Sequence, residues 1–284
     1  NPDDVIQSTY QLGWANSIAS ILIAAISPFL GAVADRGSAK KKFLFFFAYL
    51  GILMTGGLWM VDQGEWQTAI LFYVIASVGF LGGNIFYDSL LPSIATNEDV
   101  DYVSSLGFAV GYIGGGLLFL VNVLMYQYPE WFGIADAPTA IKLSFLTVAV
   151  WWAIFTVPIL LFVPEPENEN SVPLLLALKA GAKQLKETFN HIIEMRVIGM
   201  FLLAYWFYID GVDTIIRMAV KMGSSLGFET GDLIAALLMV QFIAFPAALA
   251  YNRFAQKIGT KNAVFVAIGG YAGITFLAYF MNDR

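Results

Sequence analysis

The sequence contains no cysteine and a single histidine, His191. Without thiols there is no disulfide framework, no thiolate nucleophile and no cysteine-based zinc or iron–sulfur centre. A lone histidine in a polar stretch reads as a solvated side chain rather than a proton relay or metal ligand. Charge is scarce too: Asp, Glu, Lys and Arg make up 13% of the 284 residues, against about 25% in water-soluble domains. The net charge of −6 argues against a nucleic-acid partner. No glycine-rich phosphate loop, metal-ligand spacing or Ser/His/Asp grouping stands out, so nucleotide-driven chemistry has no motif here and no cofactor is expected. The stretch Asn1 to Gln11 is polar and acidic, unlike a signal or transit peptide.

What the sequence has in quantity is apolar surface. With 58% apolar and 15% aromatic residues, its expected solvent is lipid. Runs of about 20 apolar residues, enough to cross roughly 30 Å of hydrocarbon, predict eight spans. They cover Leu12 to Ala34, Phe43 to Val61, Thr68 to Pro92, Val103 to Tyr126, Ile141 to Val163, Val197 to Val220, Leu233 to Tyr251 and Ala263 to Met281. Backbone groups in lipid must pair within their own segment, so the spans are predicted helices, and the ten-residue alternation of a membrane β-barrel is absent.

Lysine and arginine set the orientation. Arg36 and Lys40 to Lys42 follow the first span, Lys179, Lys183, Lys186 and Arg196 lie in the long middle segment, and Arg253, Lys257 and Lys261 follow the seventh. All of these fall on one side of an eight-span chain, and positive charge marks that side as cytoplasmic. Residues 164–196 form the only long polar interruption. Its prolines stop the fifth span, and Lys179, Lys183 and Lys186 at i, i+4 and i+7 fit either an amphipathic helix on the inner leaflet or a solvated linker. The chain is thereby divided into residues 1–163, a linker at 164–196, and 197–284.

A repeat names the architecture. The turn Ala34-Asp-Arg-Gly-Ser-Ala-Lys40 is echoed six spans later by Ala255-Gln-Lys-Ile-Gly-Thr-Lys261, the period expected of parallel six-helix repeats. It resembles the signature loop of the major facilitator superfamily, which lies between helices two and three of each half. The stretches Trp14-Ala-Asn-Ser-Ile18, Ser27-Pro-Phe-Leu-Gly-Ala-Val-Ala-Asp35, Phe86-Tyr-Asp-Ser-Leu-Leu-Pro92, Gly107 to Gly115 and Tyr208-Ile-Asp-Gly-Val-Asp-Thr-Ile-Ile216 are similar to the vacuole-effluxer-like branch and its bacterial relatives. The resemblance implies an all-α integral membrane bundle of two six-helix repeats. In that register the chain is expected to supply helices two to nine, 1–163 being an N-terminal repeat without its first helix and 197–284 the start of the C-terminal repeat. It further implies a secondary transporter working by alternating access in a bacterial inner membrane, with lipid, a small-molecule solute such as an amino acid, and protons as partners. A receptor or scaffold on the same fold, or a membrane-embedded enzyme, are the alternatives. The loop residues Gly31, Asp35, Arg36 and Gly37, with Lys257 and Gly259 in the second copy, would form its conformational switch.

Ionisable and amide side chains inside spans are costly, and therefore candidates for function. Asp210, Asp213, Arg217 and Lys221 recur at 0, 3, 7 and 11, a single stripe about 80° wide at 100° per residue. Asp213 and Arg217 are spaced for an i, i+4 ion pair, which leaves Asp210 as the candidate for proton coupling. Gly211 permits a local helix break beside it. The competing reading is a self-neutralised packing seam. In the third span Asn84 and Asp88 share a face, with Asp88 about 6 Å from a helix end expected at Pro92. Asn16 heads a small polar stripe with Ser20, Ser27 and Gly31. Like Gly107, Gly111 and Gly115, this stripe is suited first to close helix contact.

Overall fold

A computed structural model of the chain describes residues 2–36, 40–96, 98–165, 187 and 195–280. Eight long helices dominate the described residues: α1 (Pro2–Arg36), α2 (Lys40–Gly57), α3 (Trp66–Ile94), α4 (Val100–Gln127), α5 (Ala137–Phe162), α6 (Arg196–Ser225), α7 (Thr230–Ile258) and α8 (Thr260–Tyr279). Each contains a stretch long and apolar enough to cross a membrane, and no strand occurs among the described residues. This is the predicted all-α, multi-pass bundle of major-facilitator type. Many large apolar side chains point outward, Phe162 at 79% exposure and Val197 at 81% among them, as expected where hydrocarbon rather than water is the solvent. His191 and the lysines at 179, 183 and 186 lie outside the described residues, as do Gly37 and Met281.

The chain divides into two compact units. The first comprises Asn1–Val100 and Val121–Glu187; the second comprises Asp101–Leu120 and Thr188–Arg284. In the first, α2 and α3 cross where both helices lack side chains. A Cβ on Gly79 would stand 2.6 Å from the backbone nitrogen of Gly51 and 2.8 Å from the carbonyl oxygen of Phe47. The ring of Trp152 from α5 covers Gly51 and meets Phe80 edge to face. Toward the basic end of these helices, Leu30 of α1, Leu44 and Phe47 of α2, and Phe86 and Leu90 of α3 form a buried cluster, closed by Ile159 and Val163. Toward the opposite end, Ala15 and Ala19 of α1 pack on Val74 of α3.

Two lysines of the basic turn fasten this unit. Lys40 Nζ donates to the carbonyl of Ser89 at 3.0 Å and Lys41 Nζ to that of Val163 at 2.9 Å. The cations thus sit on carbonyls at the C-terminal ends of α3 and α5, where the helix dipole favours positive charge. At the far end Lys142 Nζ donates to Asp62 Oδ1 at 2.6 Å, joining the α2–α3 connection to α5. The start of α2 and the ends of α3 and α5 therefore share one side, as the lysine pattern requires.

Proline does not end the third helix where expected. α3 continues past Pro92 to Ile94, because proline in the last turn forfeits one donor without blocking the residues after it. Asp88 is accordingly six residues, about 9 Å, from the helix end. Within α1, Pro28 cannot donate to the carbonyl of Ala24. The adjacent Ser27 hydroxyl supplies that bond instead, at 3.4 Å.

In the second unit α4 meets α7 through glycine. A Cβ on Gly116 would lie 3.0 Å from Cβ of Gln241, whereas nothing approaches Gly111 within 4 Å. The tight contact therefore falls on Gly116, beside the Gly107, Gly111, Gly115 series rather than on it. α7 passes to α8 through Gly259 alone, at φ +85° and ψ 142°. A positive φ of this kind suits glycine, and it makes the second copy of the repeated turn sharp.

Candidate functional site

α6 carries the polar stripe. Its first half, from Val197 to Phe207, is apolar and outward-facing, and the charged residues begin only at Asp210. A rise of 1.5 Å per residue places Asp210 about 21 Å from the helix start at Arg196, deep within a span of ordinary thickness. Arg217 Nη2 lies 3.5 Å from Asp213 Oδ2, the predicted i, i+4 pair, with side chains 38% and 53% exposed. That length leaves an electrostatic contact weaker than a well-formed hydrogen bond. Asp210 is exposed and has no ion pair among the described residues. Lys221 follows one turn beyond Arg217, half-buried. The helix runs unbroken through Gly211, where space is open beside the backbone. The local break that Gly211 permits is not present in this conformation.

In the first unit the candidates separate. Asn16 is tied on both sides of its amide: its Nδ2 donates to the carbonyl of Leu12 at 3.0 Å, and its Oδ1 accepts from the Tyr73 hydroxyl at 2.7 Å. Asn84 is half-buried and Asp88 exposed on α3. Asp88 lies fifteen residues beyond Tyr73, about 22 Å along the helix, so Asn16 and Asp88 serve different depths. Asp88 instead neighbours Ser89, the residue whose carbonyl receives Lys40.

The repeated turn is described in part. Gly31 lies half-buried in α1 with open space beside it, and α1 ends at Arg36 after Asp35. Lys257 is exposed in the last turn of α7, one residue before the α7–α8 corner begins. Tyr73 escaped the sequence reading, although a phenol within a span needs a partner and so signals one. The same holds for Asn122 on α4, whose Oδ1 accepts from the Thr147 hydroxyl of α5 at 2.8 Å. Lys40 and Lys41 were legible as topology markers but not as helix caps. Outside the spans, the hydrogen bond and charge of Lys142 hold the Asp62 carboxyl below its ordinary range. The Thr139 side chain and then its backbone N–H, which Asp136 caps, do the same for Asp136.

Within the second unit, α6 thus carries two carboxylates, a guanidinium and an ammonium in one line. Such a surface can exchange hydration for contacts to a polar solute. The family model described as "Vacuole effluxer Atg22 like" matches residues 12–100 and 97–280. A Bacillus subtilis protein named "Uncharacterized MFS-type transporter YxiO" is 34% identical over 97% of this chain and 64% of its own length. Autophagy-related protein 22 of Pichia angusta is 25% identical over 83% of this chain and 50% of its own, and that of Yarrowia lipolytica 20% identical over 72% and 47%. The chain thus spans between about half and two-thirds of these curated relatives. No solved structure matches it.

Proposed function

Since the chain belongs to the vacuole effluxer Atg22-like family, we propose that the protein is a secondary transporter moving a small polar solute, amino acids being the class favoured, across a bacterial inner membrane by alternating access. The single observation that carries this reading is the α6 stripe. Charged side chains at the centre of a span cost several kcal/mol unless a function or a partner retains them, about 2.5–3.5 kcal/mol each on insertion scales. A zwitterionic solute offers a carboxylate to the Arg217 guanidinium and an ammonium to Asp210 and Asp213.

Asp210 is then the group that carries a proton from one side to the other as the site is exposed in turn. Flux in proteoliposomes tests it, with and without a proton gradient. Asp210→Asn is expected to abolish the response to the gradient while exchange of solute continues. Asp213→Asn and Arg217→Gln are expected to weaken solute affinity. An Asp210→Asn protein that folds normally and keeps wild-type uptake and pH dependence would remove the coupling role and leave the stripe as a packing seam. Specific binding without flux of any solute would turn the assignment toward a receptor on the same fold.

A further inference from the structure

The second unit holds another intramembrane polar group that the α6 stripe does not account for. Gln241 lies on α7, half-buried, and its amide has no hydrogen-bond partner among the described residues. An amide is costly in hydrocarbon without one. Three features bear on what it is for. Gln241 is seventeen residues from Ile258, and Asp213 is seventeen from Arg196, so both stand about 26 Å from the basic ends of adjoining helices that run in opposite directions. The side chain lies along the glycine face of α4, with Nε2 3.7 Å from where a Cβ on Gly115 would be and open space one turn away at Gly111. Finally, Pro246 has no N–H to give the carbonyl of Phe242, the residue next to Gln241. A primary amide, both donor and acceptor, therefore sits beside a backbone acceptor that proline deprives of its usual helical donor.

We propose that Gln241 is a solute-recognising residue of the same site as the α6 stripe. Its amide reads a small solute that presents a hydrogen-bond donor and acceptor side by side, as a free amino acid does, while Gly116 provides the room that seats it. This inference rests on the transport reading, and the experiment separates the two. The protein as its gene encodes it is reconstituted, and counterflow of an equimolar mixture of labelled L-amino acids is measured beside the thermal shift that the same mixture produces. The variants are Gln241→Met, which keeps length but removes both polar atoms, and Gln241→Glu, which keeps the acceptor alone.

Losing a hydrogen bond of this kind is expected to raise KM about tenfold in Gln241→Met with Vmax within about twofold. Its ligand-free melting temperature should not fall, since an unpaired amide is removed from lipid. Gln241→Glu is expected to retain part of the affinity and to shift the preference among the amino acids. Wild-type flux with an unchanged KM in Gln241→Met overturns the role of Gln241 and leaves transport standing. A wild-type thermal shift that Gln241→Met abolishes, without flux, keeps Gln241 as a binding residue and removes transport. Neither flux nor shift in the wild type overturns both.

Discussion

Replacing Gly79 by alanine probes the crossing of α2 and α3 most directly. The added methyl would sit 2.6 Å from a backbone nitrogen and 2.8 Å from both a Cα and a carbonyl oxygen, all of them on α2. Carbon contacts settle near 3.5–4.0 Å, so the two helices must part by about 1 Å. A flexible side chain could swing clear of such a clash, but helix backbone cannot. Overpacking of this kind costs roughly 1–3 kcal/mol, and the separation also loosens the Trp152 ring from Gly51. Gly83, one turn along the same buried face, is the matched control: a methyl there meets nothing closer than 3.9 Å and makes ordinary contacts. Alanine also favours helix over glycine by up to about 1 kcal/mol. Gly83→Ala is therefore expected to be neutral or stabilising. Reversible unfolding in mixed micelles, followed by tryptophan fluorescence, measures both variants. If Gly79→Ala and Gly83→Ala unfold at the same denaturant midpoint, the close-approach argument is wrong.

The lysine pattern makes Ser38→Cys and Thr260→Cys unreactive to an impermeant maleimide in intact cells and reactive once the membrane is opened; labelling of either from outside would reverse the topology. Lys142→Met is expected to lower stability near neutral pH and to leave stability in acid unchanged. Asp62 is depressed below its ordinary value of 3.8 by Lys142, so the pair's contribution is present above that value and is lost as pH falls through the lower, folded one. Wild type and Lys142→Met should then differ in melting temperature at pH 6 and draw together as the pH is taken well below the ordinary carboxylate range; a difference that grows toward acid would contradict the pairing.

Sequence alone determined that this chain lives in lipid, that the described residues hold eight segments long enough to span it, and that the start of α2 shares a side with the ends of α3 and α5. Each of these follows from one-dimensional quantities: the length of an apolar run measured against bilayer thickness, and the side on which cations fall. The Asp213–Arg217 contact was legible for the same reason, since both residues ride on one helix and its geometry is known in advance. Which helix meets which was not. Nothing in the order of residues says that Gly79 lies on Gly51, that Gly116 rather than Gly111 receives a neighbour, or that Tyr73 is the partner of Asn16. Nor does it say that Lys40 and Lys41 reach the ends of α3 and α5. In a bilayer, apolar faces toward lipid and toward protein look alike, because hydrocarbon does not drive the two apart. The choice is made by close packing and a few hydrogen bonds between residues far apart in the chain, and those exist only once the helices have come together.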